Sequence, residues 1–217
     1  MNNTVELIGH YGSDEVIACS AWTSTSRDLT EEKRGRIGKL LHQLWSNGHE
    51  TPFEKATLHF LVDCDIASHI HLLKHRIASI NAESARYKEL KEDKFYLPDD
   101  WKNIEKPFNN CKWLNILEEY TKLGNTHYHD CIKDLEPLLG RKRAKESARF
   151  FKTYNSQIQS DVTFNLRSFA NFQKLRNSEH AQKEIREIAQ QMLNLMETLE
   201  GSPFKYTLEA WRQSKLI

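Results

Sequence analysis

Ile185, Ile188, Ala189, Met192, Met196 and Leu199 recur at helical spacing until Gly201-Ser202-Pro203 stops the run. Such a stripe marks a long amphipathic helix, and its apolar surface is expected to serve the assembly of several copies. Ile37, Leu40, Leu41 and Leu44 repeat the pattern. They stand between Thr30, followed by the first-turn acids Glu31 and Glu32, and Asn47-Gly48, which predicts a helix from 30 to about 46. Helical patterns also occupy 66–76 and about 110 to 155, the latter broken at Pro137 and Gly140, and most of the last fifty residues. Strand signals are shorter. Residues 55–63 alternate, with Ala56, Leu58, Phe60 and Val62 on one side and Thr57, His59 and Asp63 on the other. Residues 4–9 and 157–164 read as strands, and 95–98 as a short strand or extended segment. With 8 Gly and 5 Pro there is too little punctuation for a long linker, and no internal repeat is present. The expectation is one domain over 1–217, α+β and helix-rich, with a small central sheet.

Lys plus Arg is 31 and Asp plus Glu is 30, a formal net charge of +1, which disfavours a nucleic-acid coat or a polybasic membrane binder. No apolar run is long enough to cross a bilayer, and Met1–Glu6 lacks the pattern of a secretory signal, so a cytoplasmic location is expected. Cys19, Cys64, Cys111 and Cys131 are scattered with no C-x-x-C, which fits free thiols and excludes a zinc ribbon.

No G-x-G-x-x-G occurs, Gly35-x-x-Gly38-Lys39 has the wrong spacing for a P-loop, and there is no G-x-S-x-G. His69-x-His71-x-x-x-His75 is the one metal candidate, but on a helix only His71 and His75 share a face, and no metal is expected. Two stretches are richer. Residues 74–87 pack Lys74-His75-Arg76, then Ser79, Asn81, Ser84 and Arg86. These are hydroxyl, amide and guanidinium donors suited to a phosphate. The plainer reading is a charged helix end capped by Ser and Asn. In the second, 165–186, Asn165, Arg167, Asn171, Arg176, His180 and Gln182 are interleaved with Leu166, Phe169, Phe172 and Leu175, and Arg167, Asn171 and Leu175 stack at i+4 steps. An exposed polar helix face gives the same pattern.

Lys74-His75-Arg76, seven residues and Ser84 resemble the Arg-His-Arg, seven residues, Ser motif of the flavin-dependent thymidylate synthases. Thr51-Pro52-Phe53-Glu54, Asn165-Leu166-Arg167-Ser168, Asn171-Phe172, Leu175-Arg176 and His180-Ala181-Gln182 resemble further segments of that family in order, so the likeness runs over roughly 4–200. The chain departs from the pattern at Lys74, at His71 where Gln is usual, at Ala82 where an acid is usual, and at Lys55 where His is common.

The resemblance implies a homotetramer of the thymidylate synthase-complementing fold, with active sites at subunit interfaces. It implies FAD as prosthetic group and dUMP, methylenetetrahydrofolate and NADPH as substrates, without nucleic acid or membrane as partner. It assigns Thr51, Glu54, Lys74, His75, Arg76, Asn81, Asn165, Arg167, Asn171, Leu175 and His180 to the flavin. It assigns His71, Lys74, Ser84, Ala85, Arg86 and Arg149 to dUMP, and places Arg176 against the uracil as the catalytic cation. Two other readings stay open at this point. One is a related flavoenzyme acting on another pyrimidine nucleotide, motivated by Lys74, His71 and Ala82. The other is a helical protein whose arginines contact nucleic-acid phosphates.

Overall fold

The structure, a computed structural model, describes residues 1–106 and 111–217. The described elements run β1 (Thr4–Tyr11), α1 (Asp14–Ala21), α2 (Glu31–Arg34), α3 (Ile37–Ser46), β2 (Thr57–Asp65), α4 (Ile66–Leu72), β3 (Ala78–Ala82), α5 (Trp113–Leu139), α6 (Arg141–Ala148), β4 (Gln157–Asn165), α7 (Leu166–Arg176), α8 (Lys183–Glu197) and α9 (Lys205–Gln213). Thr51–Lys55 and Arg149–Phe151 form 3-10 turns. The four strands make one antiparallel sheet in the order β1-β2-β4-β3. This is the helix-rich α+β class with a small sheet.

Several expected elements differ in extent. The helix expected over 30–46 is two. Thr30 caps α2, its Oγ1 accepting from the Lys33 amide at 3.3 Å, and Gly35-Arg36 separates α2 from α3. The helix expected to reach residue 76 ends at Leu72, and Ala78–Ala82 is a strand where only a loop was expected. Helix α1 carried no clear periodic signal. Pro137 does not break α5, which runs on to Leu139. The break falls at Gly140, whose φ of 77° suits glycine. The expected start of that helix, residue 110, lies outside the described residues.

The chain divides into two compact units. The first comprises Met1–Asn3, Asp63–Leu72 and Ala82–Ser160. Its core gathers Tyr128, Ile132 and Ala148, with Leu90 and Cys131 packed against them. Asp65, 3 % exposed, caps α4 through the Ser68 amide at 2.8 Å and also accepts from Asn3 Nδ2 at 2.7 Å. The Arg149–Phe151 turn lies directly on α5: a Cβ added at Gly124 would stand 2.6 Å from the Phe151 carbonyl oxygen.

The second unit comprises Thr4–Val62, Leu73–Asn81 and Asp161–Ile217. Leu58, Phe60 and Val62 alternate inward on β2 and are fully buried. Phe60, Phe169, Phe164, Phe172 and Trp211 form a linked aromatic core, with Phe60 and Phe169 stacked at 5.8 Å and Phe169 and Trp211 6.3 Å apart. Helix α8 buries Ile185, Ile188, Ala189, Met192 and Met196 within the protomer, so this stripe is taken up by the chain's own core rather than left as surface for assembly, and Leu199 lies beyond the helix, half-buried. Fully burying one such side chain stabilises a fold by about 1.5–3 kcal/mol.

Candidate active site

Helix α7 supplies one side of the site in the second unit. Asn165 caps it, its Oδ1 accepting from the Ser168 amide at 2.8 Å, and the Leu166 amide donates to the Ala56 carbonyl at 3.0 Å. Phe169, Phe172 and Gln173 face inward, and Gln173 Nε2 donates to the Ala189 carbonyl at 2.9 Å. The opposite stripe, Arg167, Asn171 and Leu175, is exposed, with Leu175 at 49 %. The core therefore fixes which face of α7 is presented.

The Thr51–Lys55 turn packs beside α7. Phe53 anchors it in the core, leaving Thr51 exposed and Glu54 half-buried. Arg167 spans to this turn, its Nη1 donating to Glu54 Oε1 at 2.7 Å and its Nε to Glu50 Oε2 at 3.0 Å. The bond to Glu54, then that to Glu50, holds the guanidinium above the ordinary arginine range.

At the other end of α7, Arg176 meets His75. Arg176 Nε donates to His75 Nε2 across 3.0 Å. The imidazole is 8 % exposed and sets its ring edge-on to Phe172 at 5.0 Å. Residues 101 apart in sequence thus join the two stretches singled out by composition. Lys74 and Arg76 flank His75 on the surface, Asn81 is exposed on β3, and His180 is exposed beyond α7.

In the first unit, Ser84, Ala85 and Arg86 lie in a turn following β3, where the Ser84 carbonyl accepts from the Tyr87 and Lys88 amides at 3.0 and 2.9 Å. Arg86 Nε donates to Glu146 Oε1 at 2.7 Å. That bond pulls the Glu146 carboxyl below its usual range and pushes Arg86 up. Arg149 is exposed at the end of α6, one turn beyond Glu146, and His71 is half-buried at the end of α4.

The histidine cluster is dispersed. His69 is 7 % exposed, its Nδ1 pairs with Ser160 Oγ at 2.9 Å, and burial lowers its pKa. Among the described residues no group of three or more His, Cys, Asp or Glu stands ready to hold a metal ion. Cys64 is fully buried, and burial raises its thiol well above the ordinary range.

Sequence reasoning did not single out Glu50 or Glu146, the two carboxylates that hold Arg167 and Arg86. Their partners lie 117 and 60 residues away. The only local signal was position: Glu50 precedes Thr51, and Glu146 stands one helical turn before Arg149.

Comparison with known proteins bears on what this arrangement serves. The family described as thymidylate synthase complementing protein matches residues 6–199. The flavin-dependent thymidylate synthase of Pseudothermotoga lettingae is 36 % identical over 185 residues, covering 85 % of this chain and 80 % of that protein. That of Thermosipho africanus is 32 % identical over 213 residues, covering 95 % and 90 %. Among solved structures, the UMP/dUMP methylase PolB from Streptomyces cacaoi, bound with 5-Br dUMP, superposes with a TM-score of 0.81 at 25 % identity over 100 % of this chain and 97 % of that one. The chain belongs to the thymidylate synthase complementing protein family, that of the flavin-dependent thymidylate synthases.

Proposed function

We propose that this chain, as a cytoplasmic homotetramer, converts dUMP to dTMP by reductive methylation. The carbon donor is methylenetetrahydrofolate, the reductant NADPH and the prosthetic group FAD. The meeting of His75 with Arg176 carries the reading, because it joins the Lys74-His75-Arg76 block to the C-terminal block at one place. The donors present suit FAD. Glu50 and Glu54 accept two of the five N–H groups of Arg167, leaving the others for pyrophosphate oxygens. Asn171 and Leu175 continue the same exposed stripe with an amide and an apolar surface. Thr51, Glu54, Lys74, His75, Arg76, Asn81, Asn165, Arg167, Asn171, Leu175 and His180 would hold the cofactor. Bound there and reduced by NADPH, the flavin would supply the reducing equivalents that turn a methylene carbon into a methyl group.

The protein's own work is binding and electrostatics. Arg86 and Arg149, with Ser84 and the backbone of Ala85, receive the dianionic phosphate of dUMP, and His71 and Lys74 contact the nucleotide. Arginine forks bind such oxygens in pairs. Arg176 stands against the uracil and stabilises the negative charge that grows as the ring is activated, the role of a fixed donor in an enclosed site. In this reading residues 1–217 act as one functional domain. Tyr120, Leu123 and Phe150, 64 %, 54 % and 81 % exposed, offer apolar surface for assembly.

A second reading has its own support. The whole-chain likeness to a UMP/dUMP methylase, with Lys74, His71 and Ala82 at positions where this chain departs from the usual motif, favours tolerance of a ribonucleotide. Competition between dUMP and UMP, with methylated products separated by chromatography, tests both. Methylation confined to dUMP supports the first reading; comparable methylation of UMP supports the second.

A further inference from the structure

Three candidate-site arginines are held in two different ways. Arg86 is paired with the carboxylate of Glu146, and Arg167 with those of Glu50 and Glu54. Arg176 is held by an imidazole. A guanidinium N–H can only donate, so His75 Nε2 must be the unprotonated ring nitrogen, and the ring proton sits on Nδ1 in a neutral imidazole. Phe172 and near-complete burial fix that ring. Because a guanidinium is planar, anchoring Nε also sets the directions of the Nη1 and Nη2 donors. Among the described residues no carboxylate lies within ion-pair distance of Arg176.

We propose that His75 is a positioning residue for Arg176: a neutral acceptor that fixes the guanidinium through Nε while leaving its whole positive charge for the pyrimidine. This rests on the reading of Arg176 as the uracil-facing cation. A glutamate at 75 would orient the same nitrogen but offset part of the charge, as Glu146 does for Arg86 and Glu50 and Glu54 do for Arg167. Glutamine would keep a neutral acceptor oxygen. The role is separate from any contact His75 makes with flavin. It predicts an order among substitutions that packing or cofactor binding would not produce.

The test uses the assembled enzyme at saturating FAD, comparing His75→Ala, His75→Gln, His75→Glu and Arg176→Ala. Flavin occupancy is read by absorbance, dUMP binding by calorimetry and kcat by dTMP formation. His75→Ala should lower kcat at least thirtyfold with flavin loaded. His75→Gln should recover at least tenfold of that loss. His75→Glu, almost isosteric with Gln, should fall as low as His75→Ala or lower, and weaken dUMP binding beyond the Gln variant. Equal kcat for Gln and Glu overturns the proposal, as does parental kcat in all His75 variants once FAD saturates. If His75→Ala does not fold, the Gln and Glu pair decides alone. Near-parental turnover in Arg176→Ala would instead remove the parent reading of Arg176, and this inference with it. Loss in Arg176→Ala with no difference among the His75 variants would remove this inference only.

Discussion

Asp14 is 5 % exposed, and it holds the start of α9 by accepting from the Tyr206 amide at 2.6 Å, the Thr207 amide at 3.1 Å and Thr207 Oγ1 at 2.6 Å. Burial outweighs those bonds and pushes its carboxyl up to about 6 from 3.8. The folded state therefore keeps this proton between about pH 4 and 6, where the unfolded chain has lost it. The contribution to stability is fully present below the unfolded value and is lost as pH rises through 6, a change on the order of 3 kcal/mol. Urea unfolding of the parent and of Asp14→Asn should show the parent's relative stability falling from pH 4 to pH 6.5. A difference that rises across that window would contradict the placement of this carboxyl. In the proposed site, Lys74 would offer a compact donor where the motif it resembles has the planar fork of an arginine. Lys74→Ala should weaken nucleotide or flavin binding by about 1.5–3 kcal/mol, and Lys74→Arg should be tolerated or improve kcat/KM for dUMP. Unchanged binding in Lys74→Ala would make this lysine a solvated charge. Arg176→Ala should lose dTMP formation by about two orders of magnitude while retaining flavin, since a preorganised donor is commonly worth that much.

At the scale of elements, Gly124 lets the turn carrying Arg149 sit against α5. Alanine has the better helix propensity, by about 0.5–1 kcal/mol. Yet its Cβ would meet backbone at 2.6 Å, a place with no flexible side chain to yield. Gly124→Ala should thus destabilise the protein by about 1–3 kcal/mol and weaken dUMP binding through Arg149. A raised Tm with unchanged dUMP affinity would count against that placement. The elements that were legible in sequence are those that bury one clean face: β2 through Leu58, Phe60 and Val62, and α8 through its stripe. Strand β3 was illegible because it is five residues long and its apolar face, Ala78, Ile80 and Ala82, is small and only half-buried, opposite exposed Ser79 and Asn81. The candidate site was proposed from residue types at family spacings. Glu50, Glu146 and the His75–Arg176 bond were not, because long-range tertiary contacts leave no local pattern.

For the whole molecule, +1 net charge and two separated arginine-bearing stretches are reconciled by local pairing, with carboxylates answering Arg86 and Arg167. Among the described residues no helix is long and apolar enough to cross a membrane. Light scattering of the flavin-loaded protein should give a mass near four chains, and a stable mass near the 25.5 kDa of one chain would contradict the proposed assembly. The most direct measurement of the central claim is product analysis with purified, FAD-loaded protein given dUMP, methylenetetrahydrofolate carrying an isotopic label in its methylene carbon, and NADPH. The account predicts dTMP labelled in its methyl group, formed only when all three substrates and the flavin are present. Flavin-loaded protein that leaves dUMP unmethylated, or forms dTMP at the same rate without FAD, would contradict it.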